Sequence, residues 1–542
     1  MRWMVGLAGA LVGAGFALAA WGAPAGHPIL QVTVAPGLSA PKGGRLLIFA
    51  EPIATAEAAA KDGQLPPIDA SPFEGAGSAV AAVEVARATP GETLDIDLDG
   101  IAFPQGFSRL PPGEYAIQAV LDVRRNYNYA GRGPGDLVSP VARLRLPLDG
   151  PPPLSLDRVL PDHDPWTPQP GASREAIDRL AALHGHAEPI AFVSRALSAF
   201  WGRPVTMRGW VVTPPGYDPR GKATYPTVFY APGFGGTEAR LLTGPAATVY
   251  AAMASGRTPP MIWVLLDHSG ATGTNEFADS VNNGPWGRAL TEELIPSLER
   301  NYRMDARAKG RFLNGHSSGG WATLWLQTRY PKIFGGTWST SPDPSDFHDF
   351  TGVDIYAPGA NVYRAPDGSK RPLVREGGKV GGAFEQFTAL EEVLGPYGGQ
   401  ERSFDWVFSP RGPDGRPEPM FDRVTGDVDP AVVAYWRDHY DIAHRIAVNW
   451  PALKPDLDGK IHIAVGTADT FYLDGAAHRL QAVLDGLGAK SRFQFLPGRT
   501  HFDLYKIGDN PTGLLDIFAW EMYAIARPGS HPPATAAAPV SP

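Results

Sequence analysis

Hydrophobic and polar positions follow one pattern in the first part of the chain. Over residues 28–148, short apolar runs are separated by intervals rich in Gly, Pro and Asp. In the run PPGEYAIQAVLDV, Tyr115, Ile117 and Leu121 fall on one face of an extended chain and Gln118 falls on the other. Alternation with a period of two is typical of half-buried strands. Short strands at this spacing predict a small, immunoglobulin-like β-sandwich domain.

The pattern changes from about residue 190 onward. Apolar or β-branched runs alternate with amphipathic stretches such as 288–302, in which Leu294 and Leu298 lie on one stripe. Alternating strands and helices imply right-handed βαβ units and a mostly parallel sheet with helices on both faces. We therefore expect an α/β domain over 190–527. Its predicted strands are YPTVFYAPG, MIWVLLDHSG, GRFLNGHS, GGTWSTSP, KIHIAVGTAD and SRFQFLPG.

Three further segments fit neither pattern. Residues 149–189 contain Pro-Pro-Pro followed by one short amphipathic helix (173–185), and we expect a linker there. Residues 344–458 are rich in aromatic side chains, and because a connection this long needs its own structure, we expect a cap inserted over the site. Residues 528–542 have the composition of a disordered tail.

The N-terminal segment has the layout of a secretory signal peptide. Residues 1–25 carry Arg2, then an apolar run, then small residues that include Ala17-Leu18-Ala19. We expect an exported protein, periplasmic or secreted, with no integral membrane span left after cleavage. The alternative is an uncleaved anchor, because the apolar run approaches the length of a membrane-spanning helix.

Composition excludes several classes of function. The chain of 542 residues has a formal net charge of -8 and no long run of Lys or Arg, so it lacks the electrostatic signature of a nucleic-acid-binding protein. It contains no cysteine, which excludes disulfides, thiolate metal sites and a cysteine nucleophile. A chain of this length is expected to form two or three domains.

The segment NGHSSGGWAT contains a candidate nucleophile, Ser317, in the frame G-x-S-x-G. In a chain with 63 glycines the frame alone is weak evidence. A predicted strand precedes it and a predicted helix follows it, which is the context of a nucleophile elbow. There the sharp turn holds the hydroxyl above the sheet, and glycines avoid collisions with the neighbouring strand and helix. Ser317 is therefore predicted to be the nucleophile.

A serine nucleophile needs a base to take its proton and a carboxylate to orient that base. In α/β-hydrolases these partners follow in the order Ser, acid, His. Asp469 comes at the end of a predicted strand, and His501 lies in the turn after the next one. They are the predicted acid and base. Asp474 and Asp343 remain competing candidates for the acid.

Backbone N–H groups are expected to stabilise the oxyanion of the reaction. The segment YAPGFGG follows the strand whose loop supplies one such donor in α/β-hydrolases. The predicted donors are the N–H of Phe234, with Gly235 as an alternative, and the N–H of Ser318.

These motifs together give the chain a family resemblance. The chain resembles the putative-esterase family, which includes esterase D, enterochelin esterases, feruloyl esterases and mycolyl-transferases. The segments that carry the resemblance are YPTVFYAPGFGG, NNGPWGRALTEELIPSLERNYR, GHSSGG, GTADTFYLDG and GRTHF. The resemblance covers about 190–527 apart from much of the cap. It implies an α/β-hydrolase fold and a triad of Ser317, Asp469 and His501. A β-sandwich ahead of the hydrolase domain is similar to the arrangement in enterochelin esterases.

The chain departs from the family pattern in two places. Its loop has Pro232-Gly233 where many members have His-Gly, which affects the expected geometry of the oxyanion hole. The long insert is not typical of esterase D, so the substrate of that enzyme is not expected here.

The predicted function is that of a serine carboxylic-ester hydrolase acting through an acyl-enzyme, with no metal or organic cofactor. The aromatic insert favours a bulky, aromatic or carbohydrate-linked ester as the small-molecule substrate, unless those side chains form the core of the cap itself. Three alternatives stay open: acyl transfer to an alcohol or sugar, peptidase activity, and contact with a glycan or protein partner through the β-domain.

Overall fold

The computed structural model describes residues 27–38, 42–73, 77–148, 154–168 and 171–532. The predicted signal peptide, the Pro-Pro-Pro of the linker and the end of the predicted tail lie outside the described residues. The chain forms two compact units: the first comprises 1–69, 78–121 and 137–158, and the second comprises 70–77, 122–136 and 159–542. Two segments of the predicted β-domain, 70–77 and 122–136, therefore belong to the second unit.

The described residues of the first unit form strands, one short α-helix, α1 (Ile53–Ala58), and one turn of 3-10 helix, Phe107–Arg109. One sheet has the strand order β4-β1-β9, and the other has the order β10-β7-β6-β2-β3-β5 with β8 paired to β6. The strands are β1 (Ile29–Val34), β2 (Lys42–Pro52), β3 (Ala79–Ala88), β4 (Thr93–Asp97), β5 (Ile101–Phe103), β6 (Gly113–Asp122), β7 (Leu137–Val138), β8 (Ala142–Leu146), β9 (Leu154–Leu156) and β10 (Arg158–Val159).

Strand β6 is buried on both faces, unlike a half-exposed strand. Gln118 on its polar face is only 2% exposed, because its side chain accepts a hydrogen bond from the backbone N–H of Ile68 and donates one to the carbonyl of Ser139. A buried polar side chain is tolerated when its hydrogen bonds are made inside the protein.

The second unit contains an eight-stranded sheet in the order β11-β12-β14-β13-β19-β20-β23-β24. Strand β12 is antiparallel to both of its neighbours, and the strands from β14 to β24 are parallel. The strands are β11 (Ala187–Ser194), β12 (Val205–Val212), β13 (Thr227–Ala231), β14 (Ile262–Asp267), β19 (Arg311–His316), β20 (Gly336–Thr340), β23 (Ile461–Gly466) and β24 (Ser491–Leu496). The six runs predicted as strands correspond to six of these eight.

Short hairpins and helices connect the strands of this sheet. The hairpins pair β15 (Ser269–Gly270) with β16 (Gly273–Thr274), β17 (Asp279–Ser280) with β18 (Gly284–Pro285), and β21 (Pro372–Glu376) with β22 (Lys379–Ala383). The helices are α2 (Tyr127–Ala130), α3 (Arg174–Leu183), α4 (Arg195–Trp201), α5 (Glu238–Leu241), α6 (Ala247–Ala254), α7 (Trp286–Arg288), α8 (Ile295–Asn301), α9 (Ser318–Arg329), α10 (Phe384–Leu394), α11 (Gln400–Phe408), α12 (Pro430–His439), α13 (Ile442–Leu457), α14 (Leu473–Gly486) and α15 (Gly513–Ala526). Across the described segments, none of the helices has the length and apolar character that crossing a bilayer would require.

The insert over 344–458 contains helices α10 to α13 and the β21–β22 hairpin. Most of its aromatic side chains pack together and against Trp321 and Trp325 of α9 in one hydrophobic core. Trp436 and Phe408, for example, are 0% and 1% exposed. Burial of this apolar area stabilises the insert. The aromatic residues of the insert therefore serve mainly as its own core.

The turn between β19 and α9 depends on two glycines. A Cβ atom on Gly315 would lie 2.0 Å from the carbonyl oxygen of Gly319, and a Cβ atom on Gly319 would lie 2.0 Å from that of Ala231. Helix α9 can therefore approach the strands this closely only where side chains are absent. Ser317, between the two glycines, has a left-handed φ of 59°.

Replacing Gly319 by Ala is expected to destabilise the protein by about 1–3 kcal/mol or more, because backbone atoms must move to admit the methyl group. The measurement is the Tm of the purified variant. Gly486→Ala is the matched control, since Gly486 ends α14 with nothing within 4 Å of the added Cβ. A Tm for Gly319→Ala equal to that of the control would contradict the close approach.

Candidate active site

Ser317 sits on the sharp turn between β19 and α9, with φ 59° and ψ -125°. The turn is fixed by backbone hydrogen bonds: the N–H of Ser317 donates to the carbonyl of Thr340 at 3.0 Å, and its carbonyl accepts from the N–H of Trp321 at 3.0 Å. A strained backbone of this kind persists only when its surroundings determine it fully. The side chain is half-buried and stands at the end of the parallel strands.

Asp469 and His501 form a buried pair beyond the ends of β23 and β24. His501 Nδ1 and Asp469 Oδ2 are 2.9 Å apart, and the two residues are 3% and 0% exposed. The other carboxylate oxygen of Asp469 accepts from the backbone N–H of Phe471 at 2.9 Å. Burial opposes ionisation of Asp469, but the charge and hydrogen bond of His501 hold the pKa of this carboxyl below its ordinary value. This hydrogen bond holds the orientation of the imidazole ring and keeps a proton on Nδ1.

The ring of His316 lies beside that of His501, with centroids 4.4 Å apart. Burial and the neighbouring His501 lower the pKa of His316 to about 3, so His316 stays neutral next to it.

Among the described residues, the Ser317 hydroxyl makes no hydrogen bond to His501. It donates instead to Asp343 Oδ1 at 3.4 Å. Catalytic hydrogen bonds are often loose before substrate binds, and rotation of the serine side chain changes this partner.

The two competing acids have other surroundings. Asp474 pairs with Arg375 at 2.7 Å, which neutralises its charge at a half-buried site. Asp343 contacts serine hydroxyls: besides its long contact with Ser317, its Oδ2 accepts from Ser318 Oγ at 2.7 Å and from Gln400 Nε2 at 3.2 Å. Burial raises the pKa of Asp343 to about 6. Of the three acids considered, only Asp469 is hydrogen-bonded to His501 within the described part of the chain.

The predicted oxyanion loop lies against the nucleophile turn. A Cβ atom on Gly233 would be 3.1 Å from the Cβ of Ser317. Within the described segments, the backbone N–H groups of Phe234 and Ser318 have no acceptor, so both are free to bind a ligand oxygen. An N–H at the start of a helix such as α9 also carries the positive end of the helix dipole.

Two side chains hold this loop in place. The hydroxyl of Tyr129 donates to the carbonyl of Gly236 at 3.3 Å, and its ring lies 4.7 Å from that of Phe234. Arg240 donates to the carbonyl of Gly235 at 2.8 Å. Tyr129 belongs to the segment 122–136, which follows β6 in the chain.

A rim of phenylalanine rings lies next to His501. The ring centroids of Phe471 and Phe502 are 4.8 Å and 5.3 Å from that of His501. Phe73 contacts Phe471 at 5.7 Å and Phe234 at 5.8 Å. Phe502 is 62% exposed. The rim provides an apolar surface beside the imidazole.

Sequence reasoning missed Tyr129, Phe73, Gln400 and the rim as parts of the site. Tyr129, Phe73 and Gln400 come from segments remote from the motifs, and no spacing or motif connects these segments with Ser317. Phe471 and Phe502 of the rim lie within the motifs GTADTFYLDG and GRTHF. The exposed Phe502 directly after His501 was the one available signal, because an apolar residue in a polar turn is unusual.

Residues 202–502 match the profile of a family described as "Putative esterase". The matched residues make up more than half of the chain and contain Ser317, Asp469 and His501. No curated protein matches this chain.

Three of the solved structures similar to this chain are an esterase and two hydrolases. A ferulic acid esterase from Anaeromyces mucronatus is 16% identical over 67% of this chain and 93% of its own, with a TM-score of 0.35. An S-formylglutathione hydrolase from Agrobacterium tumefaciens is 16% identical over 63% and 94%, with a TM-score of 0.36. A fluorophosphonate-binding serine hydrolase from Staphylococcus aureus is 11% identical over 63% and 98%, also with a TM-score of 0.36.

Proposed function

The chain belongs to the putative-esterase family, a family of carboxylic-ester hydrolases with the α/β-hydrolase fold, and we propose that it is a serine esterase in which Ser317, His501 and Asp469 form the catalytic triad. The observation that carries this proposal is the buried hydrogen bond of 2.9 Å between His501 and Asp469. The pair lies beyond the carboxyl ends of the parallel strands, where the turn that carries Ser317 also lies.

In the proposed mechanism, Ser317 Oγ attacks the acyl carbon of the ester while His501 Nε2 takes the hydroxyl proton. The tetrahedral intermediate collapses, the bond to the alcohol breaks, and His501 returns the proton to the leaving oxygen. His501 then takes a proton from water, the resulting hydroxide attacks the acyl-enzyme, and the acid leaves as Ser317 recovers its proton. Asp469 orients the imidazole and stabilises its cation. These steps use no metal ion or organic cofactor.

The N–H groups of Phe234 and Ser318 are the proposed oxyanion donors. The assignment is supported by the position of these two free N–H groups beside the nucleophile. Removal of one oxyanion donor typically costs about 10²–10³ in rate. Tyr129 and Arg240, through their bonds to the loop carbonyls, position the Phe234 donor.

We propose a bulky or aromatic ester as the substrate, with a carbohydrate-linked ester as one form of it. The support comes from the rim of Phe471, Phe502 and Phe73 rather than from the aromatic insert, whose rings are occupied in its own core. We also propose that the two sheets of the first unit form the β-sandwich expected ahead of the hydrolase domain, and that the enzyme is exported.

Covalent labelling combined with an ester panel tests the proposed function. The purified protein is expected to hydrolyse at least one of p-nitrophenyl acetate, butyrate and octanoate, and phenylmethylsulfonyl fluoride should stop this turnover. The sulfonyl group should appear on Ser317, within the tryptic peptide 312–329. His501→Ala should abolish labelling because the base is lost.

His439→Ala is the matched control for the labelling experiment, because His439 is exposed and stacks on Tyr435 in the cap. It should be labelled at the wild-type rate. An adduct on another serine, or equal labelling of the His501 variant, would contradict the proposed triad.

A further inference from the structure

Two buried acids lie beside the nucleophile turn. Asp343 and Glu276 are 6% and 0% exposed, and Ser318 lies between them. Burial raises the pKa of Glu276 well above its ordinary value, and the charge of Asp343 raises it further. The pKa of Asp343 is about 6, so this acid is largely ionised at pH 7.

Neither acid has a cationic partner of its own. In the described part of the chain, no Lys or Arg forms an ion pair with Asp343 or Glu276, and the base facing Asp343 is His501, which is hydrogen-bonded to Asp469. One oxygen of Glu276, Oε2, is buried without any hydrogen-bond partner, while Oε1 accepts from Thr274 at 2.8 Å. A buried carboxylate without a compensating cation is costly, so such a group either takes up a proton or is paired with a cation.

The backbone around Glu276 is held in an unfavourable conformation. Glu276 and Phe277 have φ values of 52° and 44°, in the left-handed region that bulky residues rarely adopt. Strain of this kind is concentrated at ligand-binding and catalytic sites, because the surrounding structure must hold the residue against its preference. The surrounding structure thus fixes the backbone of Glu276.

The two oxygens of Asp343 differ in a way that points to the reacting ester. Oδ2 is occupied by Ser318 and Gln400, at 2.7 Å and 3.2 Å. Oδ1 has a single donor among the described residues, the hydroxyl of Ser317 at 3.4 Å. When Ser317 becomes acylated, it no longer has a proton to donate, and Oδ1 loses that partner. In the acyl-enzyme, the carbon next to the acyl carbon is two bonds from Oγ, and Oγ lies 3.4 Å from Oδ1.

We propose that Asp343, with Glu276 beside it, binds an ammonium group on the α-carbon of the acyl group, so that the preferred substrates are esters of α-amino acids. This inference rests on the proposed serine esterase function. The substrate ammonium replaces the donor lost from Ser317 and supplies the cation that the two buried acids lack. Asp343 acts as a specificity-determining residue, and the aromatic rim remains available for the alcohol.

The test compares benzyl esters that differ only at the α-carbon. Alanine, lactate, propionate and N-acetylalanine benzyl esters present an ammonium, a hydroxyl, a hydrogen and a neutral amide at that position. Release of benzyl alcohol gives kcat/KM for each. The wild-type enzyme should prefer the alanine ester over the propionate ester by about 10- to 100-fold, the range expected for a hydrogen bond to a charged group.

Asp343→Asn removes a charge and Glu276→Gln removes an acidic group, and both replacements keep the shape of the side chain. The ratio of kcat/KM for the alanine and propionate esters should fall at least about tenfold in Asp343→Asn, and by a smaller factor in Glu276→Gln. Because the ratio is taken within one protein sample, a loss of folded protein does not alter it. Asp474→Asn, a charge removal at the acid paired with Arg375, should keep the wild-type ratio.

Equal turnover of the propionate and alanine esters by the wild type would overturn the inference, as would a ratio that Asp343→Asn leaves unchanged. Equal or faster turnover of the lactate or N-acetylalanine ester would overturn the ammonium assignment as well. Failure of the proposed function looks different: none of the four esters would then be hydrolysed faster by the wild type than by Ser317→Ala.

Discussion

Replacing Ser317 by Ala is expected to lower kcat for the best ester substrate by about 10⁴–10⁶. Without Oγ no acyl-enzyme forms, and His501 has no hydroxyl from which to take a proton. The residual rate comes from binding and from the N–H groups of Phe234 and Ser318. Initial rates at saturating p-nitrophenyl ester, with protein concentration checked by absorbance and folding by circular dichroism, give the comparison.

The control for this substitution is Ser491→Ala. Ser491 begins β24, at the end of the strand opposite to His501, so its loss should change kcat by no more than about twofold. A Ser317→Ala enzyme that keeps more than a tenth of the wild-type kcat would show that another group is the nucleophile. Ser318, whose hydroxyl lies 2.7 Å from Asp343, would then be the first to examine.

The main strands and the candidate triad could be predicted from sequence for the same physical reason. Buried parallel strands are continuous apolar runs, and each ends where the chain turns into a loop. Ser317, Asp469 and His501 follow β19, β23 and β24, which lie within one parallel part of the sheet. The carboxyl ends of these strands face the same edge, so residues distant in sequence are expected to meet there.

The surroundings of the site could not be predicted in this way. Gln400 meets Asp343 across 57 residues, and Tyr129 meets Gly236 across 107 residues. No periodicity relates these positions, because their contacts arise from the packing of loops and of helices in the insert rather than from strand ends. The aromatic residues of the insert were equally ambiguous in sequence, since a pocket lining and a cap core have the same composition.

The sequence leaves three candidates for the carboxylate that orients His501. Replacement of Asp469 is therefore the most selective test of the site. Asp469→Asn is expected to lower kcat by about 10⁴. In the structure, Asp469 Oδ1 accepts from the N–H of Phe471 at 2.9 Å, so the amide oxygen of Asn will take that place. Its NH₂ group then faces His501 Nδ1, which must accept instead of donate. The ring proton moves to Nε2, and the nitrogen that should take the serine proton is already protonated.

Comparison with the two rival acids makes this prediction decisive. Asp474→Asn breaks only a half-buried pair with Arg375 and should change kcat by no more than about fivefold. Asp343→Asn should alter the preference among acyl groups rather than remove turnover of every ester. If Asp469→Asn retained near-wild-type kcat while Asp343→Asn lost it for all four benzyl esters, Asp343 would be the acid that supports His501. The hydrogen bond of 2.9 Å between His501 and Asp469 would then be a structural contact alone. The expected order of effects follows from burial and geometry together, because only Asp469 is both fully buried and hydrogen-bonded to the ring.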